Sequence, residues 1–266
     1  MKILNGEELA GFIKERQVHV ARSFGKKKPK LLIIRDSDNP VILKYVNLKK
    51  EYGEDIGVEV EDFLAANSNE IREKILSAND DPSYNGIIVQ LPILEREKTD
   101  EITSLIAAEK DVDGLSGKDG AFDSATATAI NWLLAGYGVD LGAQKIALVG
   151  RGKLVGAPLY RMWTNSGFDV TLFHRGDDLS SLREFTTIVS ATGIPHLITS
   201  EMVAPGAIIV DAGTASEDGV LVGDVDNAVR ERNDLAAITP KIGGVGPLTV
   251  TCLFEHVLES RFIHVG

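Results

Sequence analysis

The stretch Lys145–Pro158, KIALVGRGKLVGAP, constrains the fold of this chain more than any other. A short apolar, β-branched run leads into a glycine-rich turn, and the turn opens a helix. That order makes a phosphate cradle. The strand delivers the backbone to a tight turn, glycines let it approach an anion closely, and the helix N-terminus turns free N–H groups and a partial positive charge toward it. The spacing is irregular. Gly150, Gly152 and Gly156 read G-x-G-x-x-x-G, one residue longer than the usual dinucleotide fingerprint. A bare structural turn can look the same, so its meaning depends on the rest of the chain.

With 266 residues, the chain suits one large domain or two modest ones. Hydrophobic and charged contents of 44% and 25% are those of a soluble globular protein. No apolar run approaches the ~18–20 residues of a membrane span, and the N-terminal MKILNGEELAGF carries acids where a secretory signal needs an apolar core. A single cysteine, Cys252, rules out an internal disulfide and a cysteine-rich metal site, and fits a reducing cytoplasm. The net charge of −11 argues against a nucleic-acid partner but leaves room for one basic phosphate pocket.

Helical and strand patterns alternate throughout. Helices are expected at 6–24, 41–52 (stopping at Gly53), 69–76 and 98–108, with strands at 30–35, 57–60 and 85–90. A polar, glycine-rich stretch at 109–124 looks like an inter-domain crossing. A second alternation follows: helix 126–135, strand 146–149, helix 155–165, strands 170–173, 187–191, 207–212 and 237–239, a loop at 240–247 and a last helix, 248–260. The expected fold is therefore α/β with parallel sheets in two domains. The first runs over 1–123 and is completed by the C-terminal helix 248–266. The second, Rossmann-type, runs over 124–247, and the ligand is expected between them.

Several residues are candidates for chemistry. Tyr45 and Lys49, four apart on a helix, share one face; the lysine can deliver a cation or proton donor and the tyrosine can stack on a planar ring, or both can be ordinary surface residues. Gln90, in VQLP, puts a polar side chain at a strand tip. Asp111 and Asp113, in KDVDG, could bind a metal, pair with ligand N–H groups, or serve as turn residues. No further oxygen ligands are spaced for a metal. The strand near 170–174 ends in His174 and Arg175, with no acid until Asp177, where NAD sites usually place an acid for the ribose hydroxyls. Arg151 and Arg175 could face a 2′-phosphate, which favours NADP over NAD. Small residues at Ser190–Gly193 and Asp211–Gly213 let a flat cofactor lie against strand tips. The histidines (His19, His174, His196, His256, His264) form no metal pair, and Cys252 belongs in the core.

Taken together and in order, these segments resemble the bifunctional methylenetetrahydrofolate dehydrogenase/cyclohydrolases. The resemblance rests on Y-V-x-x-K at Tyr45–Lys49, V-Q-L-P at Val89–Pro92, K-D-V-D-G at Lys110–Gly114, the glycine turn Gly150–Pro158, P-G-A-x-x-x-D-x-G at Pro205–Gly213, G-D-V at Gly223–Val225 and T-P-x-x-G-G-V-G-P-x-T at Thr239–Thr249. It implies an amino-acid-dehydrogenase-like N-terminal α/β domain beside a Rossmann-type NAD(P)-binding domain, in a homodimer. It also implies oxidation of 5,10-methylenetetrahydrofolate with NADP, then hydrolysis of the methenyl product to 10-formyltetrahydrofolate. By the same resemblance Lys49 is the general acid/base, Gln90 its orienting partner, Tyr45 the stacking ring and Asp113 the pterin contact, with Gly246 and Pro247 walling the folate pocket. Gly150, Arg151, Gly152, Val155, Gly156, His174, Arg175, Ala191, Thr192, Gly193 and Thr126 would hold the cofactor. The chain departs from the family pattern at Ile42 (usually serine), Gly152 (serine), Ser124–Ala127 (P-C-T-P) and Lys241-Ile242 (V-P). The alternatives are a divergent member with one activity and a two-domain dehydrogenase of another small ring acid, of shikimate type.

Overall fold

The computed structural model of the protein describes residues 1–217 and 220–263; His264 and the end of the expected C-terminal element lie outside them. In chain order the elements are β1 (Lys2–Ile3), α1 (Gly6–Ser23), β2 (Lys30–Arg35), α2 (Pro40–Ile56), β3 (Glu59–Leu64), α3 (Ser68–Asp80), β4 (Gly86–Val89), α4 (Thr99–Thr103), α5 (Ala125–Gly136), β5 (Ile146–Val149), α6 (Gly156–Asn165), β6 (Val170–Phe173), β7 (Thr187–Ser190), β8 (Ile208–Asp211), β9 (Ala215–Glu217), β10 (Val220–Val222), α7 (Asn227–Arg230), β11 (Ala237–Ile238) and α8 (Val245–Ile263). The chain divides into two compact units, Gly11–Ala125 with the segment from Val250 onward, and Met1–Ala10 with Thr126–Thr249.

The first unit carries a three-stranded parallel sheet in the order β3-β2-β4. The central strand, KLLIIR, is apolar because helices cover it on both faces. Leu32, Ile34, Ile71, Ile75, Ile87 and Val89 form one buried cluster with α3, each worth roughly 1.5–3 kcal/mol of apolar burial. Helix α2 starts at Asn39, whose side chain accepts from Val41 N at 2.9 Å, with Pro40 at the first position. It does not stop at Gly53 but runs one turn further to Gly57, the residue with positive φ (85°). Gly53 lies inside the helix as a close-packing residue, since a Cβ there would come within 2.5 Å of Val60 Cγ2. Strand β3 falls later than expected, since EVEDFL is a charged edge strand with little apolar signature. The single helix expected over 98–108 is instead the short α4 between two 3₁₀ turns. The Asn79 amide intervenes, donating to Leu105 O (2.8 Å) and accepting from Ala107 N (3.0 Å), and so draws those backbone groups out of helical pairing.

The second unit carries a six-stranded parallel sheet in the order β1-β11-β8-β7-β5-β6. Residues 1–10 join it because β1 pairs with β11. β9 and β10 form a separate antiparallel hairpin that the sequence pattern did not signal. Helix α8 begins at Val245, earlier than expected, so Gly246 and Pro247 lie in its first turn, where a proline's missing N–H costs nothing. In the first sheet β2 lies between β3 and β4, and in the second β5 lies between β6 and β7, so the strand order reverses beside β2 in one unit and β5 in the other. Ligands of open parallel sheets bind at such switch points, beyond the carboxyl ends of the strands.

Candidate active site

Gln90 follows β4 at the switch point of the first unit. Its backbone N donates to Ile34 O at 2.8 Å, continuing the ladder. Its side-chain Nε2 donates to Leu91 O at 3.1 Å, which leaves Oε1 aimed at α2. There it accepts from Lys49 Nζ at 2.7 Å. Gln90 is nine-tenths buried and Lys49 half-buried. Burial holds the lysine below its usual range, while the negative charge of Asp113 pulls it back up. The result is an amine with a fixed direction and a disfavoured charge, which suits proton transfer near neutrality.

Asp113 is displayed by a tight loop. Beneath it the buried Asp111 accepts from Leu115 N (3.2 Å) and Ser116 N (2.7 Å). Of the readings open for Asp111, the structure supports the turn residue. Gly114, at φ 69°, has no room for a side chain, since a Cβ would sit 2.5 Å from Phe122 O. Burial pushes the Asp113 carboxyl up to about 6, against the lowering effect of Lys49 and with the help of Asp111. Among the described residues no group of three or more His, Cys, Asp or Glu could hold a metal.

Tyr45 is half-buried one turn before Lys49, and burial raises its hydroxyl's pKa. Ile42 is buried in the core. His256, read from sequence as a lone histidine, braces the Asp113 loop. Its Nδ1 lies 2.8 Å from Val112 O, its ring stacks on Phe122 (4.6 Å between centroids), and burial lowers its pKa. A neutral ring with a proton on Nδ1 satisfies that carbonyl. Nothing in the apolar run around His256 signals this, because Val112 lies 144 positions away.

In the second unit Gly150 N, beyond β5, donates to Phe173 O at 3.0 Å. Gly150 has φ 102°, and a Cβ on it would come within 2.7 Å of Ala191 O. A Cβ on Gly156 would overlap the Gly150 carbonyl. Gly152 is different: it is exposed, with nothing nearer to its Cβ position than Ala191 O at 4.0 Å. The turn is thus closed at its base and open at its mouth, as a cradle for a pyrophosphate must be. Val155 caps α6 through its backbone alone. Arg151, His174 and Arg175 are exposed at the neighbouring tips, Thr126 is half-buried at the start of α5, and Gly193 follows the half-buried Ala191 and Thr192 beyond β7.

Two aspartates missing from the expected site organise this second unit. Asp224, fully buried, accepts from Ser190 Oγ (2.7 Å), Thr192 N (2.7 Å) and Thr192 Oγ1 (2.9 Å), and so sets the loop after β7. Asp211 accepts from Gly213 N and Asp224 N, both at 3.0 Å, and pairs with Arg230. Arg230 also donates to Thr239 O at 2.8 Å, at the start of the loop leading to Gly246 and Pro247. That loop leans on α1, where Glu7 N donates to Gly243 O at 3.0 Å. The D-x-G and G-D-V motifs contain both aspartates, and that was the available signal.

The profile of the tetrahydrofolate dehydrogenase/cyclohydrolase catalytic domain matches residues 4–113, and that of the tetrahydrofolate dehydrogenase/cyclohydrolase NAD(P)-binding domain matches residues 124–264. The bifunctional protein FolD of Aquifex aeolicus is 34% identical over 284 residues, covering 99% of this chain and 97% of the relative. The crystal structure of the bifunctional enzyme FolD, methylenetetrahydrofolate dehydrogenase/cyclohydrolase, from Campylobacter jejuni superposes with a TM-score of 0.91 at 32% identity, covering 99% of each chain. The Trypanosoma brucei methylenetetrahydrofolate dehydrogenase-cyclohydrolase, solved with NADP and an inhibitor, superposes with a TM-score of 0.90 at 27% identity, covering 99% of this chain and 98% of the other.

Proposed function

The chain belongs to the tetrahydrofolate dehydrogenase/cyclohydrolase family, and from that premise we propose how its residues carry the family's two reactions. It is an NADP-dependent methylenetetrahydrofolate dehydrogenase and methenyltetrahydrofolate cyclohydrolase. The observation that carries the reading is the Lys49–Gln90 pair: a half-buried amine of lowered pKa, held at 2.7 Å by an amide that is itself fixed at a strand tip.

NADP fits the second unit, where the open mouth at Gly152 gives the pyrophosphate backbone room and Arg151 and Arg175 stand exposed for a 2′-phosphate. When bound, it supplies a hydride acceptor for the one-carbon bridge. Lys49 serves the hydrolysis. As the neutral amine it takes a proton from the water that adds to the methenyl carbon. As the ammonium it returns a proton to the ring nitrogen when the C–N bond breaks. Water brings two protons: one stays on that nitrogen and one leaves to solvent. Gln90 keeps the amine pointed through both transfers. Asp113, ionised above about pH 6, accepts from the pterin's N–H donors. Tyr45 offers its ring to the aminobenzoyl group. We also assign the chain to the cytoplasm and to a homodimer formed through the dinucleotide-type unit; the single cysteine, buried Cys252, is consistent with that compartment. Among the described residues no helix is long and apolar enough to cross a membrane. The formyl product would feed purine, methionine and histidine biosynthesis.

The test is Lys49→Met, assayed for both reactions on the purified chain. Methenyl hydrolysis should fall by about 10²–10⁴-fold, the usual contribution of a positioned acid/base, while hydride transfer survives in part. Undiminished hydrolysis would overturn the role given to Lys49.

A further inference from the structure

We propose that Asp177 is a specificity-determining residue for the cofactor. It holds a carboxylate where the 2′ substituent of the adenosine ribose arrives, and so draws the preference for NADP over NAD below what two arginines alone would give. The proposal rests on the cofactor reading above and deepens it.

The sequence shows no acid at the end of β6; the fold supplies one from four residues downstream. The 3.0 Å bond from Gly150 N to Phe173 O sets the glycine turn directly beside this strand end. After Phe173 the chain turns sharply over His174–Asp177. Asp177 N donates to His174 O at 3.2 Å, and Gly176 takes φ 96°, the left-handed conformation that such a turn asks of its third residue. The turn is closed a second time by its side chain, as His174 N donates to Asp177 Oδ2 at 2.6 Å. The carboxylate is thereby folded back onto the first amide past the strand. Its other oxygen, Oδ1, has no protein donor among the described residues, and the side chain is exposed.

The neighbouring acid does not share this position. Asp178 spends its carboxylate on Ser180 N (2.9 Å) and Ser180 Oγ (2.8 Å), capping the next 3₁₀ turn. Arg151 and Arg175 are exposed and make no ion pair among the described residues. The strand end therefore offers both chemistries at once. Two guanidiniums suit a phosphate dianion. One carboxylate oxygen suits the hydroxyls of an unphosphorylated ribose and repels the phosphate. At a solvated site each effect is modest, so together they amount to about tenfold in relative affinity.

The discriminating variant is Asp177→Asn. It keeps an acceptor oxygen for His174 N–H and removes the charge. Dissociation constants for NADP and NAD, measured by calorimetry on the full chain without folate, should shift about tenfold in ratio toward NADP. The shift should shrink as salt rises. Arg175→Ala should move the ratio the other way. Asp177→Ser, which also keeps an acceptor, guards against a turn that fails in the asparagine variant. A ratio unchanged within twofold in both Asp177 variants would overturn the proposal and leave the carboxylate as a turn closure. Cofactor selectivity that responds as stated in a chain that turns over no folate would support this inference while defeating the folate reading.

Discussion

The two units use the same topological device to opposite ends. Each places its candidate site where the strand order reverses, at Gln90 in one and at Gly150 in the other. In the first unit the site consists of side chains with their directions locked: Lys49 on Gln90, Gln90 on Leu91 O, Asp113 above a loop pinned by Asp111. In the second it consists of backbone, and its defining property is the absence of side chains at Gly150, Gly152 and Gly156. Proton transfer needs a titratable group whose pKa can be moved by burial, and only a side chain supplies one. Anion binding needs unobstructed N–H groups, and there a side chain is in the way.

That contrast can be broken at several points. Gln90→Leu removes the acceptor without emptying its space, and hydrolysis should fall by about 10²-fold, the scale of a misplaced catalytic group, with little change in Tm; full activity would mean that Lys49 needs no guide. Gly156→Ala drives a methyl group into the Gly150 carbonyl. Overpacking of that kind costs about 3 kcal/mol, so Tm should drop by about 5–10 °C and cofactor titration should show weakened binding. A variant of normal Tm and affinity would show that the turn is not closed at its base.

Asp113→Asn tests the electrostatics in both directions. Its carboxyl is raised from 3.8 to about 6 in the folded chain. Ionisation therefore costs stability progressively from pH 3.8 to 6, and the relief given by asparagine should be present at pH 7 and absent at pH 3.5 in paired denaturation curves. The carboxylate is also the charge that raises Lys49, so the rising limb of the hydrolysis profile should move to lower pH. A limb that stays in place would separate the two groups. The smallest effect is expected from Gly152→Ser, which restores the family's residue at the open mouth of the turn. With 4.0 Å of clearance its stability change should stay within about 0.5 kcal/mol; a large loss would mean the mouth is occupied by the protein itself.

Much of this is legible in the chain itself. The apolar runs KLLIIR, NGIIVQ and IALV mark strands of parallel sheets, and their polar or glycine-rich ends mark the candidate sites, because strand period and strand end are local properties of a chain. The reversal at Gly53 was not legible. Whether a glycine ends a helix or packs inside it depends on Val60 and Phe254, which other elements bring to it. The charged edge strand β3 and the hairpin β9–β10 were equally hidden, since edges need no apolar alternation.

The order of residue types along the chain determined the α/β class, the two-part division, the family, and the identities of Lys49, Gln90, Asp113 and the three glycines. Only the tertiary structure decided that Asp111 supports its neighbour's loop, that His256 clamps Val112 from 144 positions away, and that Asp224 and Arg230 set the loops of the second unit. It also decided that Asp177 reaches back to the end of β6. The reason is range. Helix and strand periods are written between residues a few positions apart, whereas a buried charge takes its meaning from whatever hydrogen-bond partner the fold carries to it, and that partner has no fixed distance in sequence.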